Sequence, residues 1–267
     1  MGDVIQTGDY ALTDEGRVRD LVREHGWATL VSVTDDGPVV SHVPVLLAED
    51  VALPSGVVHP AGAVGDPAGA VGDPAGAVGD PAAPPVPPRP ARDAHGLPDR
   101  FAVPGAPLTV VSHLGRPDEL LHAIGSGREH LLVVEGPYGY VSPGWYGYAP
   151  AVPTWNYVAA HLYGTVELLD AEDSYAVMAA TVDRYERPMP DPVRMPDVED
   201  YARRIAPGAV GFRLSVTRWQ GKAKLSQDKP RAVAERVVER LGTDPHYANP
   251  ALAAAMRAEL DRRPGWA

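Results

Sequence analysis

An uncharged, aromatic stretch at residues 138–163, YGYVSPGWYGYAPAVPTWNYVAAHLY, is the part of the sequence best suited to holding a ligand. Its 26 residues contain no Asp, Glu, Lys or Arg and carry 8 of the chain's 18 aromatic side chains. Rings such as Tyr146 and Trp155 supply stacking area for a flat molecule, while Ser142, Thr154 and Asn156 supply a few fixed hydrogen bonds. The same composition suits a surface buried between subunits. Both interpretations hold together if a ligand site lies on the seam of a dimer.

A basic segment at residues 221–229, GKAKLSQDK, holds all three lysines of the chain, Lys222, Lys224 and Lys229. If Lys222 and Lys224 alternate on a strand, their side chains share one face, because a spacing of two preserves the face. Two ammonium groups on one face can bind a phosphate or a carboxylate. The alternative interpretation is a solvated strand end without a ligand.

The segment SHLGRPDELL carries the most suggestive histidine, His113. A strand is predicted to end there, and Arg116 and Pro117 are predicted to open a short helix whose first amides favour an anion. Any single histidine is more often a hydrogen-bonded core or loop residue than a ligand, so the alternative role for His113 is structural.

Composition and missing motifs exclude several classes of function. The formal net charge of −11 over 267 residues argues against broad coating of nucleic acid or anionic membrane. The absence of cysteine excludes disulfides, thiolate zinc sites and cysteine nucleophiles. The sequence has no HExxH or GxSxG motif, no P-loop and no complete dinucleotide fingerprint, so we predict no metal site and none of the corresponding enzyme classes.

Hydrophobic periodicity predicts a mainly β protein with flanking helices (α+β), arranged as an antiparallel barrel. A short helix is predicted to begin at a Thr13 cap, to bury Val18, Leu21 and Val22 and to stop at Gly26. A helix at residues 171–186 capped by Asp170 and two helices at 229–241 and 251–263 are also predicted. Eight β-rich runs predict strands at residues 27–33, 39–48, 108–113, 131–136, 138–142, 158–169, 209–219 and 220–226.

A low-complexity segment at residues 54–107 separates two of these strands and repeats PAGAVGD three times. Proline and glycine in every repeat deny it a helix, so we interpret it as a flexible surface insert. The predicted organisation is a barrel domain built from residues 1–53 and 108–228, this insert, and a C-terminal helical segment at 229–267.

The blocks GPYGYVSPGWY, AVPTWNYVAAHLYG and GFRLSVTRWQGKAKLSQDKP resemble the signatures of the FMN-binding negative transcriptional regulator family, the PaiB-like proteins. The earlier blocks ATLVSV and SHVPVLL extend the resemblance to nearly all of the chain outside the insert. The resemblance implies a split β-barrel, related to flavin reductases and pyridoxamine phosphate oxidases, that forms a homodimer with FMN between the subunits.

The resemblance also suggests which residues hold the cofactor. Lys224 and Arg116 are the candidates for its anionic end. The family's Gly-His-x-Ala-Arg-Ala-Asn-Pro block keeps His113 and Arg116 here, but Pro117, Asp118 and Glu119 replace Ala-Asn-Pro. Two acids beside a phosphate repel it unless they point away. Together with the residues of the aromatic stretch, these positions give the expected cofactor-binding set: His113, Arg116, Ser142, Tyr146, Thr154, Trp155, Asn156 and Lys224.

The same family includes haem-dependent enzymes of piperazate synthesis, so the alternative is a flavin- or haem-dependent redox enzyme acting on a small metabolite. His113 is then the candidate axial ligand. Direct DNA binding is not expected, because the predicted helix after Asp228 has nearly balanced charges and no helix-turn-helix pattern accompanies it. No signal peptide or apolar span is evident, so the expected location is the cytoplasm.

Overall fold

The computed structural model describes residues 10–56, 104–263 and 265–266. Most of the predicted insert therefore lies outside the described residues. Its described ends contact helices, since the Ser55 hydroxyl donates to Asp173 and the Gly105 amide donates to Glu15, at 2.6 and 2.7 Å.

The chain begins with a two-residue strand, β1 (Ala11–Leu12), and a helix, α1 (Glu15–Glu24). The expected burial of Val18, Leu21 and Val22 on α1 is confirmed. The prediction that Thr13 caps this helix is wrong. The cap is Asp14, whose carboxylate accepts a hydrogen bond from the Arg17 amide, and His25 rather than Gly26 ends the helix.

The next two strands, β2 (Trp27–Thr34) and β3 (Gly37–Leu47), form the predicted antiparallel hairpin. Gly37 sits at its turn with φ of 113°, a conformation that side chains with a Cβ rarely adopt. The hairpin prediction is confirmed because the turn chemistry and the flanking β-branched residues favour the same structure.

The remaining predicted elements are present with some changes of boundary, and one further short helix before the last strand was not predicted. The elements that follow the hairpin are β4 (Thr109–Gly115), α2 (Arg116–Leu121), β5 (Glu129–Val141), β6 (Thr154–Leu168), α3 (Ala171–Glu186), α4 (Glu199–Ile205), β7 (Ala209–Lys224), α5 (Arg231–Thr243) and α6 (Pro250–Arg262). The Asp170 cap of α3 is confirmed, since its carboxylate accepts from the Asp173 amide at 2.8 Å.

Two pairs of predicted strands are in fact single strands. The runs at 131–136 and 138–142 join in β5 through a bulge between Glu135 and Tyr138. The runs at 209–219 and 220–226 join in β7. Glycine and proline at the joins suggested breaks, but sheet pairing on both sides carries the backbone through them.

The sheet closes on itself. Its strand order is β1-β7-β4-β3-β2-β5-β6, and β7 also pairs with β6, so six antiparallel strands form a ring. The predicted antiparallel barrel is confirmed.

The strands β6 and β7 approach each other closely near a shift in their register. A Cβ on Gly164 would stand 2.0 Å from the Ser215 carbonyl oxygen, so only glycine fits there.

Alternate strand residues fill the barrel. Leu30, Leu132, Leu162 and Phe212 have no exposed surface and belong to one core, which continues through α5 and α6. A second cluster lies outside the barrel wall, where α3 places Val177 near residues of β3 and β4. Among the described residues, no helix combines the length and apolar character needed to cross a membrane.

Candidate functional site

Three of the predicted site residues meet where β6 begins and β7 ends. Lys224 lies opposite Tyr157 in the register, and its ammonium group donates to the Thr154 hydroxyl. The neighbouring Asn156 is fully buried and donates from Nδ2 to the Ser226 hydroxyl at 2.8 Å. Asn156 Oδ1 has no hydrogen-bond partner within the described part of the chain. This end of the barrel wall therefore combines a cation with a fixed polar network.

The two strand lysines share a face, as the sequence predicts. Ala223 between them is buried, whereas Lys222 and Lys224 are only partly buried. Burial lowers the pKa of the Lys224 ammonium group, and the Asp228 carboxylate partly opposes that effect. The Lys222 ammonium group lies 5.6 Å from the centre of the Tyr157 ring. The outer surface at this end thus offers two positive charges beside an aromatic ring.

An aromatic groove lies next to these lysines on the outer surface. The Trp155 side chain is 55% exposed, and its ring centre lies 6.4 Å from that of Tyr138 and 6.2 Å from that of Tyr140. The groove encloses about 210 Å³. Its lining residues are Glu135, Tyr138, Trp155, Tyr157, Val158 and Ala159. A volume this small holds only part of a large ligand, because ligand pockets usually enclose roughly 300–1,000 Å³.

Two predicted site residues hold the loop between β5 and β6. Tyr146 is 1% exposed, its ring stacks 5.8 Å from that of Tyr148, and burial raises the pKa of its phenol. The Ser142 hydroxyl accepts from the Gly144 amide at 3.2 Å and caps a 3-10 turn. Both side chains therefore stabilise the loop between β5 and β6.

His113 and Arg116 lie at the other end of β7. His113 pairs with Gly211, and the Arg116 guanidinium donates to the Pro207 carbonyl at 3.0 Å and forms a 3.3 Å ion pair with Glu119. Of the two acids that replace the family's residues, Glu119 thus faces Arg116. The other, Asp118, accepts from the Ser41 hydroxyl at 3.3 Å.

His113 lines a cavity of about 870 Å³ between the outer barrel surface and α3 and α4. Its Nδ1 atom is buried without a hydrogen-bond partner among the residues that the structure describes. Burial lowers the pKa of the imidazole, so the ring is neutral at pH 7.

The structure does not unite the two groups of predicted residues within one chain. Lys224 lies thirteen positions along β7 from Gly211, the partner of His113, which is about 40 Å along an extended strand. Sequence reasoning also missed Tyr138 and Tyr157 as ring neighbours of the site. Their period-two spacing from Tyr140 and Trp155 is the signal that could have found them.

Comparison with known proteins identifies a family and relatives of this chain. A family model described as "Putative FMN-binding domain" matches residues 6–62 and 94–218, more than half of the chain. The chain is 28% identical over 134 residues to "Protease synthase and sporulation protein PAI 2" of Bacillus subtilis, covering 50% of this chain and 64% of that protein. It is 29% identical over 141 residues to an uncharacterized protein of Aspergillus fumigatus, covering 43% and 54%. The chain thus spans between 54% and 64% of the length of these relatives.

Among solved structures, the chain is similar to "Structure of the FAD and Heme binding protein from Mycobacterium smegmatis". The identity is 16% and the TM-score 0.44, over 80% of this chain and 73% of that one.

The chain is thus a closed antiparallel barrel with flanking helices. The chain belongs to the FMN-binding domain family whose model it matches. The resemblance to the PaiB-like proteins is confirmed.

Proposed function

We propose that the chain holds FMN on the outer surface at the junction of β5, β6 and β7, in a site that a second copy of the chain completes. The observation that carries this proposal is the family match over residues 6–62 and 94–218. The geometry of the Lys224 end of the barrel supports the position.

The residues at this junction fit the chemistry of FMN. The exposed rings of Trp155 and Tyr138 suit the planar ring system, and the ammonium groups of Lys222 and Lys224 suit a phosphate dianion. Thr154 already accepts a hydrogen bond from Lys224 and orients its ammonium group. When bound, FMN supplies electron or hydride transfer, and the chain's own residues bind and orient it.

A homodimer is supported by a largely apolar face on the same side of the barrel, flanked on β5 by Glu129 and Glu135. Along β2, β5 and β6 the outward side chains include Val31, Leu131, Val133, Ala159 and His161, all partly buried. Burial lowers the pKa of the His161 imidazole, and the neighbouring Glu135 carboxylate partly opposes that effect. Covering it would bury apolar surface and close the shallow groove beside it.

A regulatory role in the cytoplasm is part of the same proposal and is supported by the PaiB-like family membership. Direct DNA contact is not part of it. On α5, Arg231 pairs with Glu235 at 3.0 Å, which leaves less uncompensated positive charge for a phosphate backbone. Repression by this chain would therefore depend on a partner.

The absorption spectrum of the purified protein tests the cofactor. Bound flavin gives bands near roughly 370 and 450 nm, whereas haem gives an intense band near roughly 400 nm. We expect the flavin bands, retained through gel filtration. A haem band would instead favour the redox-enzyme alternative with His113 as the axial ligand. Colourless protein that does not bind added FMN would overturn the proposal.

A further inference from the structure

The cavity beside His113 is a second concave site, distant along β7 from the lysines of the flavin junction. Three secondary-structure units form it: the outer surface of the barrel, α3, and the segment that leads through α4 to β7. Its volume of about 870 Å³ lies in the range of small-molecule sites. The larger side chains that line it include Trp27, His113, Tyr175, Met178, Tyr185 and Tyr201.

The lining is almost entirely apolar and itself includes no lysine or arginine. Guanidinium groups nearby lie over lining rings, with Arg203 4.2 Å from the centre of Tyr175 and Arg204 5.2 Å from that of Tyr201. Arg203 is already paired with Glu172 and Glu199.

The one carboxylate of the lining, Glu186, already accepts a hydrogen bond from the Val193 amide at 2.8 Å. The Tyr185 hydroxyl donates to the Gly26 carbonyl at 2.8 Å. The imidazole of His113 and the hydroxyls of Tyr175 and Tyr201 are therefore polar groups of this lining that can serve a ligand, and His113 is the one that the barrel wall supplies.

The exposed rim of the cavity is also apolar. Trp27, Tyr201 and Ile205 are each more than half exposed, at 59%, 57% and 54%. Large apolar side chains grouped around a concavity and left open to water commonly mark a binding site. A planar apolar ligand would cover these side chains and fill the space between the rings of Trp27 and Tyr201.

We propose that this cavity binds a neutral, planar aromatic compound that carries a hydroxyl or carbonyl group facing His113. A charged group beside His113 would lose its hydration, because the lining itself holds no lysine or arginine to act as a counter-ion. FMN suits this lining poorly, because its phosphate would find no lysine or arginine there and would share the cavity with Glu186. The inference stands apart from the proposed flavin site.

Calorimetric titration of the purified protein tests the proposal with 2-naphthol, 2-methylnaphthalene and naphthalene-2-carboxylate as probes. We expect 2-naphthol to bind most tightly and the anionic carboxylate at least about tenfold more weakly. The variant His113→Phe keeps an apolar ring but removes the polar group. It should weaken 2-naphthol about threefold to tenfold and leave 2-methylnaphthalene within about twofold. The matched control is His246→Phe, an exposed position outside the cavity.

Filling the cavity gives a second test that does not depend on His113. Ala202→Trp within the cavity, or Ile205→Trp at its rim, should abolish binding of both neutral probes while the melting temperature stays close to that of the wild type. Equal affinity for 2-naphthol and the carboxylate, or unchanged binding in both filled variants, would overturn the proposal. Displacement of 2-naphthol by FMN or haemin would also overturn the proposal, because it would show that the cavity binds a cofactor. Loss of FMN binding in Lys224→Ala with unchanged 2-naphthol binding would separate the two sites.

Discussion

The guanidinium of Arg17 on α1 lies 2.9 Å from the carboxylate of Glu259 on α6, across 242 positions of sequence. Glu259 is 1% exposed and also pairs with Arg262 and Arg263, at 3.0 and 2.7 Å. Burial alone would raise the pKa of this carboxyl. The hydrogen bond from Arg262 and the charges of the other two arginines hold the pKa below its usual range. One buried anion therefore attaches the last helix to the first.

We expect Glu259→Gln to lower the free energy of unfolding by about 2–3 kcal/mol, because the change removes the charge that three arginines share. The arginines are partly exposed, so the loss is smaller than for a fully buried pair. Chemical denaturation measures it. Glu235→Gln, which breaks an exposed pair with Arg231, should cost less than about 1 kcal/mol. Equal losses in the free energy of unfolding for the two variants would show that the buried ion pairs of Glu259 stabilise the protein no more than an exposed pair does.

Acidification should also destabilise the protein through buried histidines. His122 is 1% exposed, and its Nδ1 lies 2.7 Å from the Ser32 hydroxyl. Burial lowers its pKa, and repulsion from His130 adds to this effect while Asp118 opposes it. The unfolded chain therefore binds a proton more readily, so the stabilisation is complete above about pH 6.5 and falls as the pH drops through the lower folded-state pKa.

Melting temperatures measured from about pH 7.5 to about pH 5.5 test this dependence. The double variant Ser32→Ala/His122→Phe removes both hydrogen-bonding partners together and should show a flatter pH profile than the wild type. His246→Phe, at an exposed position, should keep the wild-type slope. An unchanged slope in the double variant would assign the acid sensitivity to other groups.

Lys224→Ala should weaken FMN by about 1.5–3 kcal/mol and riboflavin much less, because riboflavin has no phosphate for the ammonium group to contact. Trp155→Ala should weaken both flavins alike, since it removes ring contact only. Fluorescence titration of each variant measures both affinities. Arg240→Ala, an exposed cation on α5, is the control and should bind as the wild type does. If Lys224→Ala binds both flavins normally, the anion site must be sought around Arg116.

Sedimentation at micromolar concentration should give about twice 28.4 kDa for the wild type. Leu131→Arg places a charge in the apolar part of this barrel face, between Glu129 and Glu135, and should shift the protein to the monomer. Val193→Arg adds the same charge at an exposed loop position and should leave the dimer intact. A wild-type monomer that still binds FMN would contradict the shared site.

Local sequence patterns were sufficient to predict most helices and strands of the fold. The Gly37 turn, the buried stripe of α1 and the Asp170 cap each depend on residues within a few positions of one another. The two-residue strand β1 and the short α4 were missed, because tertiary contacts rather than local sequence specify them. A Cβ on Gly221 would stand 2.6 Å from the Leu12 carbonyl oxygen, and that approach is visible only in the fold.

The site was less predictable than the fold, because burial decides which aromatic side chains remain available. Tyr146 and Trp155 lie in the same uncharged aromatic segment and were both predicted to stack on a ligand. In the fold, however, Tyr146 is 1% exposed and Trp155 is 55% exposed. Likewise, His113 and Lys224 both fall in family-like blocks, but the length of β7 keeps them apart. Such distances depend on strand lengths and on barrel closure, which no short motif encodes.

Closure of the ring by β7 determines when the barrel can form during synthesis. β7 pairs with both β4 and β6, and it is the last strand of the sheet in chain order. Until residues 209–224 have left the ribosome, the nascent chain exposes two unpaired strand edges, on β4 and on β6. Such edges can pair with other chains, and long-range strand pairing is slow. The emerging polypeptide is therefore most vulnerable to aggregation just before β7 becomes available, and chaperone protection matters most in that interval.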